Sequence, residues 1–215
     1  MQRMIVVLGC VAMLTCAGAC SAKTAGVESA GPAISPPAQP TATVLLIDST
    51  ASMASALPAV RPDAQRVLAR LSPSDLVAVV VFDRQPVRQT ALEPLSADHR
   101  HEVGQFIEQT KAEGRSKAPA ALEQAFAMLR LHDGTRELYF WTDADAAARQ
   151  AAATIARLTQ QDTAKPVRVH IIITRPASTA DFAAQQALTQ AAIATGGDLR
   201  MMEQNWPRGQ ETGSR

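Results

Sequence analysis

Beyond residue 20 this chain of 215 residues has no cysteine; Cys10, Cys16 and Cys20 are its only three. That excludes a disulfide scaffold for the body, a Cys-ligated zinc site and a catalytic thiol. There is no long basic run, so nucleic acid is not the main partner, since phosphate binding needs clustered Lys and Arg. There is no Gly-rich loop to cradle phosphates. His99, His101, His132 and His170 do not fall at metal-ligand spacing, and no internal repeat is visible. Net charge is small too. Of 21 basic residues Arg3 alone lies before Cys20, and the other 20 balance 20 acidic ones, so net-charge steering is not available. What is present is a body of globular composition, 47% hydrophobic and 19% charged.

The first residues read as a targeting segment. Arg3 supplies one positive charge, Met4 to Cys20 has none, and the stretch ends Ala17-Gly18-Ala19 before Cys20. That is a secretory pattern. It also resembles a bacterial lipoprotein signal, in which the cysteine after small residues is lipidated and becomes the new N-terminus. Ala17 stands where such signals usually carry Leu. Simple cleavage after Ala19 and an uncleaved anchor are the alternatives, though the stretch is short for a membrane span. The expectation is a lipid on Cys20 and an envelope lipoprotein facing the periplasm. Ser21 resembles the sorting signal for the outer membrane. Residues 21–41, rich in Ala, Ser, Gly and Pro, read as a linker. Fully flexible, about twenty such residues hold a domain roughly 25 Å from its anchor.

From Thr43 the chain alternates strands and helices. Thr43 to Ile47 is a short apolar run, and "LVAVVVF" at 76–82 is the strongest strand. Asp83-Arg84-Gln85-Pro86 turns it, and Val87 to Leu92 follows as an antiparallel edge strand. Ala64, Val67, Leu68 and Leu71 share a helical spacing from Pro62. Ser96 caps a helix through about Lys111, and a second helix covers Ala118 to Leu131. Further strands lie at Leu138–Thr142, Val167–Thr174 and Leu199–Met202. Helices fill Asp145–Gln160 and the segment ending near Ala194, which a Ser178–Asp181 capping box opens and Gly196-Gly197 closes. This order predicts an α/β fold: a doubly wound, mostly parallel, six-stranded sheet over residues 42–204, with helices on both faces and one antiparallel edge strand. Residues 205–215, with Trp206, form a polar tail.

In such sheets ligands bind at the carboxyl ends of the strands. Asp48 and Asp143 both sit there. In "LLIDSTASM", Asp48, Thr50 and Ser52 alternate as hard oxygen donors of the kind Mg²⁺ prefers. The same residues are ordinary turn and cap formers. Ser116 can cap the helix at Ala118, and Asp143 the next one.

The body resembles the von Willebrand factor A domain. The resemblance runs from about Thr41 to Met202 and is strongest in "VLLIDSTASM" and "DLVAVVVFD". Its metal-ion-dependent adhesion site has an Asp-x-Ser-x-Ser loop, which Asp48-x-Thr50-x-Ser52 fits. A Thr before a helix follows, where Ser116 aligns, then an Asp at a strand end, commonly Thr-Asp-Gly and here Thr142-Asp143-Ala144. The resemblance implies a Mg²⁺ or Mn²⁺ site made by Asp48, Thr50, Ser52, Ser116 and Asp143. It implies docking on another protein through an acidic side chain, and no enzymatic activity. Arg115 replaces an expected Gly, and Lys117 lies on the other side of Ser116. A charge about 8 Å from a dication is repelled by about 1 kcal/mol in water-like surroundings and about 4 kcal/mol at an effective dielectric of 20. Two other readings stay open: a metal-free interaction or structural module with a degenerate site, and a metal-dependent hydrolase suggested by Asp143-x-Asp145.

Overall fold

The computed structural model describes residues 39–82, 87–114, 117–145, 147–174 and 181–202. Strand β1 (Ala42–Asp48) is buried at all seven positions. It lies between β2 (Leu76–Phe82) and β5 (Arg136–Thr142), parallel to both. Beyond β5 come β6 (Arg168–Ile173) and β7 (Leu199–Met201), also parallel. The expected antiparallel edge strand is two pieces, β3 (Arg88–Gln89) and β4 (Glu93–Pro94), both paired with β2. The sheet therefore has seven strands rather than six. Thr90 breaks the edge: its hydroxyl accepts the Val79 N–H that a ladder partner would take. The turn at 83–86 and the linker up to residue 38 lie outside the described residues.

Both faces are covered, as a run of apolar strands buried on two sides requires. Val44, Leu46, Val80, Phe82 and Phe140 pack under α3 (Ala118–Arg130), α4 (Ala148–Gln161) and α5 (Phe182–Ala194). Leu45, Ile47, Val79, Val81 and Trp141 pack under α1 (Leu57–Arg70) and α2 (Ala97–Gln109). Helix α1 starts five residues before the expected Pro62 and runs through that proline. Apolar contacts of Leu57 and Val60 outweigh the lost hydrogen bond. Ser96 caps α2 by accepting the His99 N–H at 3.2 Å. His99 is buried and His101 exposed, as two-residue spacing on a helix dictates. The capping box of α5 is corrected: Asp181 is itself the N-cap and accepts the Ala184 N–H at 3.1 Å. Ser178 lies outside the described residues. Gly196 ends α5 with φ +74°. At Gly197 a Cβ would sit 2.0 Å from the Val169 carbonyl oxygen, so only glycine permits β6 to come this close.

The lower edge of the sheet is clamped by polar groups. The Thr41 N–H donates to Asp75 at 2.9 Å, and His132 Nε2 donates to the Pro40 carbonyl at 2.7 Å. Arg136, 5% exposed, donates to the carbonyls of Arg130, His132 and Lys165 and pairs with Asp162 at 3.1 Å. On the α1 side Asp63, also buried, accepts from Trp141 Nε1 at 2.8 Å and pairs with Arg200 at 2.5 Å. These contacts join α1, β5 and β7. No helix among the described residues is long and apolar enough to cross a membrane.

Candidate metal centre

The upper rim of the sheet brings together the ends of β1, β2 and β5. Asp48 is the last residue of β1 and only 4% exposed. Its Oδ1 accepts the Thr50 N–H at 3.0 Å, the Asx turn expected of an Asp that ends a strand. Its Oδ2 accepts the Thr142 hydroxyl at 3.4 Å, a bond that ties β1 to the end of β5. The Thr50 and Ser52 hydroxyls lie 3.0 Å apart and share a hydrogen bond. A short 3₁₀ turn, Ala51–Met53, then carries the chain toward α1. Met53 fills the space below it, with the Thr174 hydroxyl 3.3 Å from its sulfur.

Two loops fasten onto this one. The Ser49 hydroxyl and N–H both reach the Phe82 carbonyl at the end of β2, at 3.3 and 3.1 Å. The Glu113 N–H donates to the Ser49 carbonyl at 2.7 Å, and the Ala51 N–H to the Gly114 carbonyl at 3.4 Å. The segment leading to α3 is thereby sewn to the Asp48 loop. Ser116 and Arg115 lie in that segment but outside the described residues. Lys117 follows them, exposed at the start of α3.

Asp143 is 1% exposed and accepts the Asp145 N–H on Oδ1 at 3.3 Å. Asp145 in turn accepts the Ala147 N–H at 2.8 Å, ahead of α4. Between them Ala144 has φ +52°, in the left-handed region, and is fully buried. An L-residue there carries strain of about 1–2 kcal/mol. Glycine would relieve it but lose a buried methyl and gain unfolded-state entropy, each about 0.8 kcal/mol. We expect Ala144→Gly to leave stability within about 1 kcal/mol. Ala144→Val should cost at least about 2 kcal/mol, because a β-branched side chain is poorly tolerated at positive φ and the site has no room. Urea unfolding of the two variants checks this.

Electrostatics mark Asp48. Burial pushes its carboxyl up from 3.8 to about 7; hydrogen bonds from Thr50 partly oppose this, and the charges of Asp143 and Asp145 add to it. Among the described residues no lysine or arginine is paired to Asp48, and a buried carboxylate beside two others gains from a cation. No group of three His, Cys, Asp or Glu among the described residues is arranged to hold a metal, so the donors available here are chiefly hydroxyls. That composition suits Mg²⁺, which keeps waters and takes few direct protein ligands. Asp48, Thr50 and Ser52 lie on one loop, Asp143 follows the Thr142 that bonds Asp48, and the backbone of Glu113 and Gly114 is fastened alongside. Thr142 and the backbone of Glu113 and Gly114 were not expected at the site, whereas Asp145 stood in the Asp143-x-Asp145 pair. Only the Thr-Asp pair at a strand end hinted at the first of them.

Residues 43–147 match the von Willebrand factor type A domain family. No curated protein matches the chain. Solved von Willebrand A structures share its fold. A von Willebrand factor type A protein from Catenulispora acidiphila superposes at TM-score 0.62 with 16% identity, over 78% of this chain and 39% of that one. The pilus adhesin SpaC from Lactobacillus rhamnosus GG gives 0.63 with 12% identity, over 79% and 28%. The protein BatB from Bacteroides thetaiotaomicron gives 0.54 with 14% identity, over 76% and 90%. The chain thus spans well under half the length of the first two. At these identities the likeness is one of fold.

A shallow cavity of about 320 Å³ between α1 and α2, lined by Gln65, Arg100, His101 and Glu108 among others, shares no residue with the rim. His170, read as a core or surface residue, stacks on Tyr139 at 4.7 Å and pairs with Asp198.

Proposed function

We propose that this von Willebrand A domain docks on another protein through a divalent-cation site at its upper rim. The observation that carries the reading is the buried Asp48 carboxylate with the Thr50 and Ser52 hydroxyls beside it and two further loops fastened to its own. Thr50, Ser52 and Ser116 would be the direct donors to Mg²⁺ or Mn²⁺, and Asp48 and Asp143 the outer carboxylates that hold coordinated waters. A cation held mostly by neutral oxygens stays electrophilic and supplies a coordination place for one carboxylate oxygen of a partner. The residues around it do the rest. Thr142 orients Asp48, and the Glu113 and Gly114 contacts hold that backbone against the Asp48 loop. Among the described residues the rim shows no set of further carboxylates and general base such as hydrolysis needs, and we read it as a binding module. The adhesin among the structural relatives supports the same class of role. Lipidation at Cys20, outside the described residues, would place the domain on the periplasmic side of a bacterial envelope, with the outer membrane favoured.

Thermal and denaturant unfolding with Mg²⁺ or Mn²⁺ against chelator tests the site. At a free metal concentration of about 100 times Kd, stability should rise by about 2.7 kcal/mol. The metal requires ionised Asp48, so affinity should fall about tenfold per pH unit below 7. No change at millimolar metal between pH 7 and 8 would remove the cation. The metal-free module would then be the reading that stands, favoured by the hydrogen bond through which Thr50 and Ser52 already satisfy each other.

A further inference from the structure

The donor loop is anchored at both of its ends, and one side chain reaches both anchors. At the near end Asp48 accepts the Thr142 hydroxyl on Oδ2 at 3.4 Å. At the far end Met53, the buried residue of the 3₁₀ turn, is fully enclosed. Thr174, the residue after β6, is buried between them. Its N–H donates to the Thr142 carbonyl at 2.9 Å. Its hydroxyl lies 3.3 Å from that same oxygen and 3.3 Å from the Met53 sulfur. A hydroxyl has one proton to give, so the two acceptors share it. Thr50 and Ser52 sit on the arch between the anchors, with their hydroxyls 3.0 Å apart. Two adjacent oxygens of an octahedron around Mg²⁺, with bonds of about 2.0–2.1 Å, are about 2.9 Å apart. Around Ca²⁺, with bonds of about 2.3–2.6 Å, the same edge is about 3.3–3.7 Å. The arch already has the spacing of the smaller ion.

We propose that Thr174 is a positioning residue of the rim, one that holds Met53 and Thr142 so that Thr50 and Ser52 keep this spacing, and thereby sets a preference for Mg²⁺ over Ca²⁺. The proposal rests on the reading of the rim as a cation site. Its physical basis is contact distance. A hydroxyl stands 3.3 Å from sulfur and oxygen because a hydrogen bond draws the atoms together. A methyl in its place keeps about 3.5–4.0 Å from its neighbours. It would push Met53, and with it the 3₁₀ turn, outward by a few tenths of an ångström. Mg²⁺ demands near-ideal octahedral geometry, whereas Ca²⁺ accepts a flexible one, so the same displacement costs Mg²⁺ more. Thr174 acts through Met53 and Thr142, from beneath the donors.

Calorimetric titration of the full chain with Mg²⁺ alone and with Ca²⁺ alone, at pH 8 where Asp48 is ionised, tests this. The wild type should bind Mg²⁺ more tightly. Thr174→Val keeps the shape of the side chain and removes its hydroxyl. It should weaken Mg²⁺ about tenfold, the lower end of what changes behind a metal ligand cost, and Ca²⁺ less than about threefold. Thr174→Ser keeps the hydroxyl and should hold the wild-type ratio. Should the valine variant not fold, Met53→Leu is read instead; it removes the sulfur at similar volume and should shift the ratio the same way. A merely structural role would lower both affinities alike. A ratio unchanged in the variant read therefore overturns the inference and leaves the cation site standing. Loss of the ratio in Thr174→Ser, or a wild type that binds Ca²⁺ as tightly as Mg²⁺, overturns it likewise. A wild type that binds neither ion removes the rim reading and this inference together.

Discussion

Asp48→Asn is expected to make the metal-free protein more stable at pH 8, by up to about 4 kcal/mol, while abolishing any gain from Mg²⁺. The gap between 3.8 and about 7 carries this, at about 1.4 kcal/mol per pH unit. The folded state holds a proton on Asp48 that the unfolded chain releases between pH 4 and pH 7. Stability from this group is thus greatest below pH 4, declines as pH rises through that window, and is least above 7. Asparagine keeps an acceptor for the Thr50 N–H and never ionises. Its amide donates where Asp48 accepted, and the Thr142 hydroxyl can turn to receive it. With metal at about 100 times Kd the gap narrows by about 2.7 kcal/mol, because the wild type gains at high pH and the variant does not. Denaturant midpoints for both proteins at pH 4.5 and 8, with Mg²⁺ and with chelator, give the four comparisons. A wild type equally stable at both pH values without metal would show that Asp48 titrates normally.

Arg136→Ala should cost about 3–5 kcal/mol. The guanidinium is 5% exposed and holds three carbonyls and one carboxylate at the lower edge of the sheet. Truncation leaves Asp162 without its buried partner and three carbonyl oxygens without a donor, the case in which breaking a pair is most harmful. Lysine should recover only part of the loss, because one ammonium cannot span acceptors that a planar fork reaches. Neither change touches the rim, so the metal response should survive in whatever fraction remains folded. A midpoint within 1 kcal/mol of wild type for the alanine variant would refute this account of the clamp.

Much of the architecture was legible because the strands are short, apolar and bounded by turn residues. "LVAVVVF" and "VLLID" allow little else, and the parallel sheet with helices on both faces follows from their alternation with helical spacing. The boundaries that slipped did so for local reasons. Pro58 and Pro62 hid the first turn of α1, since a proline in a helix is identified only by the packing that compensates for it. The edge strand split because the Thr90 side chain took a backbone partner, and periodicity carries no trace of that. At the rim the sequence names donors but not their neighbours. Asp48 could be singled out from its alternation with Thr50 and Ser52. Its raised pKa could not, because that depends on how deep β1 lies and on carboxylates almost a hundred residues away. The left-handed turn at Ala144 was hidden by the residue that occupies it, since alanine gives no signal where glycine would have. Asp63 and Arg200 are 137 positions apart, and their pairing has no local signature at all.

Where the described chain enters the domain has a mechanical consequence. Pro40 and Thr41 are bound at the lower edge of the sheet, and Asp48 stands at the opposite end of the strand that begins there. A pull between those points runs lengthwise along β1. That strand is gripped from both sides, against Leu76–Phe82 on one flank and Arg136–Trp141 on the other. Force applied this way loads two rows of hydrogen bonds together in shear, so they must give way at once and cannot peel apart singly. The domain resists extension most along the line that joins Pro40 to its rim.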